Sequence, residues 1–146
     1  MKNNISAKEK FTSWRETISN IHHRLYYRDQ SPDSFQSLYN LVQSFAPDVI
    51  VECGTISGLS LRCWLLASDS AKIKCIDLSF NPLQESMKIF PLDLSRVDLI
   101  QSDILTVDFS TLWNPNDRVL FFVDAHDVPG GTSIMRHILT NAVPHL

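Results

Sequence analysis

Four short apolar runs at even intervals constrain the fold of this chain more than any other feature of its sequence. They are VIVEC from Val49, IKCID from Ile73, VDLIQ from Val97 and VLFFV from Val119. Their starts lie 22 to 24 residues apart, which leaves room for a helical crossover and is too long for a hairpin. Because the first and fourth runs are apolar almost throughout, they predict strands buried on both faces, as in a parallel sheet between helix layers.

The segments around these runs carry signals for the start and end of helices. Prolines, glycines and capping hydroxyl residues stand at their borders. The predicted helices run from Pro32 to before Pro47, from Gly58 to about Ala67, from Asn81 to before Pro91, and onward from a cap at Thr132 or Ser133. Residues 92–96 are predicted to form a loop. With right-handed crossovers, this alternation predicts a doubly wound α/β fold.

Residues 1–30 are predicted to form a helical extension before an α/β domain of residues 31–146. Apolar residues recur in the extension every three or four positions, at Phe11, Trp14, Ile18, Ile21 and Leu25. This pattern is typical of an amphipathic helix that packs on its own domain or on a partner. The extension and an open edge of the sheet are therefore the surfaces through which a homo-oligomer could form.

The composition of the 146 residues excludes several classes of protein. Hydrophobic residues make up 44% and charged residues 20%, which favours a buried core over disorder. The net charge is −3 and no basic block stands out, so neither nucleic acid nor a membrane surface is an expected partner. The sequence shows no leader peptide and no membrane span, so we expect a cytoplasmic protein. Its three cysteines, Cys53, Cys63 and Cys75, are expected to be buried free thiols.

An acidic residue stands at or just after the end of each predicted strand. Glu52 and Asp77 belong to the first two runs, Asp103 follows the third, and Asp124 follows the fourth. The carboxyl ends of parallel strands meet at one edge of a sheet, and ligands bind at that edge in doubly wound folds. The sequence therefore predicts that the four acids converge around one crevice.

The turn after the first strand contains Gly54 and Gly58, which permit a tight bend and a close approach of the backbone. Their spacing is not the Gly-x-Gly-x-x-Gly that a pyrophosphate requires, so nicotinamide and flavin dinucleotides are disfavoured. The sequence also shows no set of two histidines and one carboxylate that would hold iron.

The segments VIVECGTISGLS, IKCIDLS, LIQSDIL and VLFFVDAHD resemble the successive motifs of class I S-adenosylmethionine-dependent methyltransferases. The resemblance covers roughly residues 35–140, and FVDAHD is similar to the small-molecule O-methyltransferases and the cephalosporin hydroxylase-like group. It implies a Rossmann-like fold that binds S-adenosylmethionine. It also implies O-methylation of a hydroxylated small molecule, such as a sugar or a secondary metabolite.

The resemblance implies roles for individual residues as well. The cofactor-binding residues that it implies are Glu52, Gly54 and Gly58 near the methionine part, Thr55 in the same turn, Asp77 at the ribose hydroxyls and Asp103 by the adenine amino group. Asp124 and His126 are the candidate catalytic residues. Two roles stay open for Asp124, which could ligate Mg²⁺ or orient a substrate hydroxyl. His126 is either a general base or an ordinary loop histidine.

The family sheet has seven strands, whereas this chain supplies four, in the expected order 3-2-1-4. The sequence therefore predicts a partial fold, and two explanations are open. We favour a fragment of a longer protein over a domain whose edge a partner covers, because a bare apolar edge strand promotes aggregation. Two other functions also stay open: a non-catalytic or truncated methyltransferase-like binding module, and an oxidoreductase or hydroxylase on the same fold.

Overall fold

The computed structural model describes residues 32–127 and 129–145. The helices in these ranges are α1 (Pro32–Phe45), α2 (Leu59–Ala67), α3 (Asn81–Ile89) and α4 (Ile134–Asn141). The strands are β1 (Val49–Cys53), β2 (Lys72–Asp77), β3 (Val97–Gln101) and β4 (Val119–Val123). The predicted extension of residues 1–30 lies outside the described residues.

The four strands form one parallel sheet in the order β3-β2-β1-β4, which confirms the predicted order. Helices α2 and α3 make the first two crossovers, while the connection from β3 to β4 contains only short 3-10 turns at Ile104–Thr106 and Phe109–Thr111. All five residues of the central strand β1 are buried, whereas all five of the edge strand β4 are partly exposed. The register pairs Cys53 with Ile76 and with Val123, so the strands end at a common edge.

The helix boundaries follow the sequence signals closely. Helix α1 ends two residues before Pro47, where Ala46 donates its backbone N–H to the carbonyl of Val42 at 2.8 Å. Helix α4 begins with Ser133 as its cap, and the Ser133 hydroxyl accepts the N–H of Arg136. The carboxylate of Asp127 accepts the N–H of Ile134 at 2.7 Å. The loop between β4 and α4 is therefore fixed at the start of the helix.

Two apolar layers cover the two faces of the sheet. One layer packs α1, α2 and α3 on the sheet, with Phe35, Trp64 and Leu83 fully buried. The other layer packs the 3-10 turns and α4 on the opposite face, around Phe109 and Ile138. Strand residues alternate between these layers, which explains why a central strand of this sheet has no polar face.

A buried arginine ties α2 to α3. The Arg62 guanidinium donates to the carbonyl of Phe90 at 2.5 Å and to the hydroxyl of Ser86, and it lies over the Phe90 ring. Phe90 is the C-cap residue of α3, so the cation meets the negative end of the helix dipole. Burial lowers the pKa of Arg62. This contact fixes α3, and with it the loop that leaves β2.

The three cysteines are buried free thiols, as expected. Burial raises the pKa of Cys53 and that of Cys63 to about 12. These thiols stay protonated near neutral pH and are poor nucleophiles. In the part of the chain that the structure describes, no helix has the length and apolar character needed to cross a membrane.

Candidate functional site

A cavity of about 310 Å³ opens at the carboxyl edge of the sheet, within the size range of small-molecule sites. It lies where the loops that follow all four strands meet. Its walls are Gly54 and Ile56 after β1, Asp77 and Leu78 at the end of β2, 103–105 after β3, 124–126 after β4, and Gly131, Thr132 and Ile134 before and at the start of α4.

The register of the sheet continues into these loops and fixes their first residues. Gly54 donates its N–H to the carbonyl of Ile76, and Asp124 donates its N–H to the carbonyl of Cys53, each at 2.9 Å. The N–H of Ser102 likewise reaches the carbonyl of Asp77 at 3.0 Å. Because rigid backbone holds each loop where it leaves the sheet, the cavity is built on preorganised elements.

Three of the four predicted acids line the cavity: Asp77, Asp103 and Asp124. None of the described residues that line it is a lysine or an arginine. An environment with carboxylates and no cation attracts positive charge and hydrogen-bond donors, and it disfavours phosphates. The site therefore suits a cationic or hydroxyl-bearing ligand.

Asp77 links the first two loops. One of its carboxylate oxygens, Oδ2, accepts the backbone N–H groups of Thr55 at 2.8 Å and of Ile56 at 2.9 Å. The other oxygen, Oδ1, accepts the N–H of Ser79 at 3.3 Å. A carboxylate has about four lone-pair positions, so Asp77 can hold the turn after β1 and still accept a hydrogen bond from a ligand.

The turn that Asp77 holds has an unusual backbone. Gly54, Ile56 and Gly58 all lie at positive φ, with values of 91°, 50° and 79°. Glycine adopts this conformation readily, but a β-branched residue there is a genuine outlier. Isoleucine is a residue type typical of strands, so the sequence gave no sign of a left-handed backbone at position 56.

The two glycines of this turn serve different contacts. A Cβ on Gly54 would lie 2.9 Å from the backbone oxygen of Asp124, so this glycine lets the loops after β1 and β4 touch. A Cβ on Gly58 would lie 2.5 Å from Cδ1 of Leu83, on the helix-covered face away from the cavity. Gly54 therefore lines the cavity, whereas Gly58 allows α2 to begin against α3.

Glu52 lies beneath the turn and does not line the cavity, unlike the convergence expected from the sequence. Its side chain has no exposed surface and points into the layer formed by α2. Oε1 accepts the Ser60 hydroxyl at 2.5 Å and the Trp64 indole N–H at 2.8 Å, and Oε2 accepts the thiol of Cys75 at 3.4 Å. Thr55 is also buried and does not line the cavity.

The electrostatics of Glu52 follow from these surroundings. Burial raises the pKa of its carboxyl, and the hydrogen bonds from Ser60, Trp64 and Cys75 oppose that rise in part. All three are neutral donors, so no cation compensates a charge on Glu52. The geometry indicates that Glu52 links β1 to α2 and β2 from within the core.

The remaining predicted residues lie around the mouth. Asp103 is exposed, and its Oδ1 accepts the N–H of Leu105 at 2.9 Å, which orients the carboxylate at the start of a 3-10 turn. Asp124 is partly buried, and His126 is exposed two residues further along. Leu78 follows Asp77 and also lines the cavity, with 71% of its surface exposed; as an apolar residue it carried no signal of a site in the sequence.

The described residues do not provide a metal centre. Within 32–127 and 129–145, no group of three His, Cys, Asp or Glu residues is placed to hold a metal ion. A divalent cation such as Mg²⁺ needs carboxylate and water oxygens in a near-octahedral set. The Mg²⁺ at Asp124 that the sequence allowed is therefore unsupported by these residues.

Comparison with known proteins identifies the fold. No family model matches the chain, and no curated protein matches its sequence significantly. Among solved structures, the S-adenosylhomocysteine-bound methyltransferase PaMTH1 of Podospora anserina is similar with a TM-score of 0.65 at 22% identity, over 92% of this chain. A protein assigned as an O-methyltransferase from Klebsiella pneumoniae has a TM-score of 0.64 at 19% sequence identity, over 99% of this chain. A structure of cmcI-N160 with S-adenosylhomocysteine has a TM-score of 0.55 at 20% sequence identity, over 77% of this chain.

These likenesses establish the fold and nothing finer. The chain has the Rossmann-like fold of class I methyltransferases, with a four-stranded parallel sheet, as the sequence resemblance implied. It spans about three fifths of the length of the three similar structures, with 57%, 62% and 56% of those chains covered. The fold is therefore partial relative to these proteins.

Proposed function

We propose that this chain binds S-adenosylmethionine in the cavity at the carboxyl edge of the sheet and supports O-methylation of a hydroxylated small molecule. The observation that carries the proposal is a cavity lined by three carboxylates, from the ends of β2, β3 and β4, and by no lysine or arginine. A sulfonium cofactor is cationic, and its ribose and adenine present hydroxyl and amino donors. This chemistry complements carboxylates better than a phosphorylated cofactor does.

The residues present fit such a ligand. Asp77 would accept the ribose hydroxyls through Oδ1, because Oδ2 already holds the turn. Asp103 would accept the adenine amino group, and the neighbouring Leu78 and Ile104 would cover the faces of the ring. Gly54 would border the methionine part where the loops after β1 and β4 meet. Glu52, Thr55 and Gly58 would support this arrangement from behind the turn.

The acceptor would lie on the side of the cavity formed by residues 124–126. S-adenosylmethionine supplies the methyl group when bound, and the protein must align the acceptor oxygen with it. Asp124, fixed by its backbone contact with Cys53, would orient the acceptor hydroxyl. His126 would take up the proton that the hydroxyl loses.

Titration calorimetry with S-adenosylhomocysteine, S-adenosylmethionine and NAD⁺ tests the binding step. We expect the first two ligands to bind and the dinucleotide not to bind.

Asp103→Ala should weaken binding of S-adenosylhomocysteine roughly tenfold, the value of one hydrogen bond to a charged group. Asp93→Ala removes an exposed carboxylate outside the cavity and should leave affinity unchanged. Absence of heat with either adenosyl ligand at millimolar concentration would contradict the proposal.

Transfer itself is tested with methyl-labelled S-adenosylmethionine and a panel of hydroxylated small molecules. For an acceptor that is methylated, His126→Ala should lower the rate about 100-fold, as expected for loss of a general base, with unchanged affinity for S-adenosylhomocysteine. Full turnover by this variant would remove His126 from the mechanism. Binding without turnover of any acceptor would favour the non-catalytic module.

A further inference from the structure

Helix α1 has more apolar surface than its contact with the core uses. The buried residues of its inner face are Phe35, Tyr39 and Val42. A second set, which we call the outer stripe, recurs at intervals of three and four residues and consists of Leu38, Leu41 and Phe45. At 3.6 residues per turn, the outer stripe lies about a quarter of a turn from the inner face. Leu41 and Phe45 expose 44% and 42% of their surface.

The outer stripe faces away from the neighbouring helix α2. Gln43 donates a hydrogen bond from its side-chain amide to the carbonyl of Ala67, the last residue of α2. Gln43 therefore marks the side of α1 on which α2 lies, and the outer stripe is about half a turn away from it. Apolar side chains at this spacing form the seam through which one helix packs on another. The outer stripe is thus suited to a second helix on the flank opposite α2.

The chain itself supplies an apolar helical pattern directly before α1. The predicted extension of residues 1–30 adjoins Pro32, where α1 begins. A segment this close in sequence can turn back on α1 at little cost in loop entropy, and antiparallel helix pairs with short loops are a recurring unit. The extension is therefore the occupant that the chain brings nearest to the outer stripe.

The intervals of the extension mirror those of the outer stripe. In an antiparallel pair of helices, positions at equal distances from the turn lie opposite each other. Three apolar pairs share one midpoint, between Asp29 and Gln30. They are Ile21 with Leu38, Ile18 with Leu41, and Trp14 with Phe45. One turn beside Asp29 would bring all three pairs into register, and aspartate is a residue type favoured in turns.

We propose that residues 11–25 form a helix that folds back antiparallel to α1, with Trp14, Ile18 and Ile21 packed on the outer stripe. The partner of the extension is then α1 of the same chain and not a second copy. The residues of the outer stripe do not line the cavity, so this inference does not depend on the proposed function.

Engineered cysteines in the full chain test this register. Ile18→Cys combined with Leu41→Cys should form an intramolecular disulfide on mild oxidation, because facing positions of packed helices come within disulfide range. The yield on a non-reducing gel should not depend on protein concentration. Glu16→Cys combined with Leu41→Cys is the matched control and should give less than about a tenth of that yield, because Glu16 lies on the opposite side of the predicted helix. The native thiols Cys53 and Cys63, with a pKa of about 12, should not compete.

Three outcomes of this experiment would overturn the inference. A disulfide between two chains, with a yield that rises with concentration, would place a second copy on the outer stripe. An intramolecular yield from the Glu16 pair equal to that from the Ile18 pair would show no preferred face. Absence of a disulfide from the Ile18 pair would refute the register.

Thermal unfolding tests the same contact without cysteines. Trp14→Ala and Phe45→Ala should each lower the melting temperature by about 3 °C, and the double variant should lose less than the sum because both changes remove one shared contact. Ile89 of α3, with 49% of its surface exposed, provides the control: the losses from Ile89→Ala and Trp14→Ala should add. Additive losses from Trp14→Ala and Phe45→Ala would show that these side chains do not meet.

Discussion

Glu52 and Asp77 are acids of two strands that pair with each other, yet the molecule uses them differently. In the register of β1 and β2, Glu52 pairs with Cys75, two residues before Asp77 ends its strand. That offset leaves Glu52 within the sheet, where its side chain must enter an apolar layer. Asp77 lies at the strand end, where its carboxylate reaches both the neighbouring turn and the cavity.

The two acids also differ in the kind of group that donates hydrogen bonds to them. Glu52 accepts hydrogen bonds from side chains of α2 and β2, whereas Asp77 accepts them from backbone N–H groups of a loop. The comparison teaches that an acid near a strand end indicates a ligand site only when it lies beyond the last residue covered by helices. A difference of two positions along the sheet therefore separates Glu52, which is buried in the core, from Asp77, which lines the cavity.

The largest effect is expected from removing the buried acid. Glu52→Ala should lower the free energy of unfolding by about 3–5 kcal/mol, because it leaves the Ser60 and Trp64 donors without an acceptor and creates a cavity. Chemical denaturation measures this loss. Glu85→Ala removes an exposed glutamate that pairs with Lys88 and should change stability by less than about 0.5 kcal/mol. Equal losses in the two variants would show that the Glu52 network contributes nothing.

Asp77→Ala should act mainly on the ligand. We expect S-adenosylhomocysteine to bind roughly 10- to 100-fold more weakly, because a charged acceptor is lost together with the bonds that hold the turn. Hydrogen exchange at the amides of Thr55 and Ile56 should accelerate. Asp77→Asn keeps one carbonyl oxygen and should restore amide protection more fully than affinity. An Asp77→Ala variant with wild-type affinity would place Asp77 with the structural acids.

A smaller effect concerns pH. Burial raises the pKa of Glu52 above its ordinary value of 4.5, so the folded chain holds this proton more firmly than the unfolded chain does. That stabilisation is complete below pH 4.5 and is lost as pH rises toward the folded-state pKa. Glu52→Gln does not ionise, so its stability relative to the wild type should increase with pH above 4.5. A gap that stays constant from pH 4 to pH 8 would contradict the raised pKa.

The smallest expected effect is that of Glu52→Gln on ligand affinity. Because Glu52 does not line the cavity, S-adenosylhomocysteine should bind this variant within about threefold of the wild-type value at neutral pH. A loss as large as that of Asp77→Ala would erase the distinction between the two acids. Calorimetry on the two variants side by side makes this measurement.

The sequence was sufficient to predict the framework of the fold. The runs from Val49, Val97 and Val119 begin strands at those residues, and the run at Ile73 begins one residue earlier. The strand order followed from the resemblance to class I methyltransferases, whereas crossover lengths and handedness alone predicted only a doubly wound sheet. Prolines and capping residues located the helices because they act locally, through missing N–H groups and short-range hydrogen bonds.

The site was less predictable, because its details depend on contacts between distant segments. Nothing in the sequence indicated that Glu52 would meet Trp64, or that Gly54 would touch the backbone of Asp124. The left-handed backbone of Ile56 contradicts its intrinsic preference and is enforced by Asp77, 21 residues away. Local patterns therefore located the edge of the sheet, and only the three-dimensional structure distinguishes the residues that line the cavity.

Under the proposed function, the absence of lysine and arginine from the described cavity wall has a consequence for turnover. When a sulfonium loses its methyl group it becomes a neutral thioether. The cofactor then no longer carries the positive charge that the carboxylates attract. A cavity of this kind would hold the spent cofactor more weakly than the fresh one, and the preference would shrink as salt screens the acids. Charge alone would then favour exchange of the used molecule for a new one.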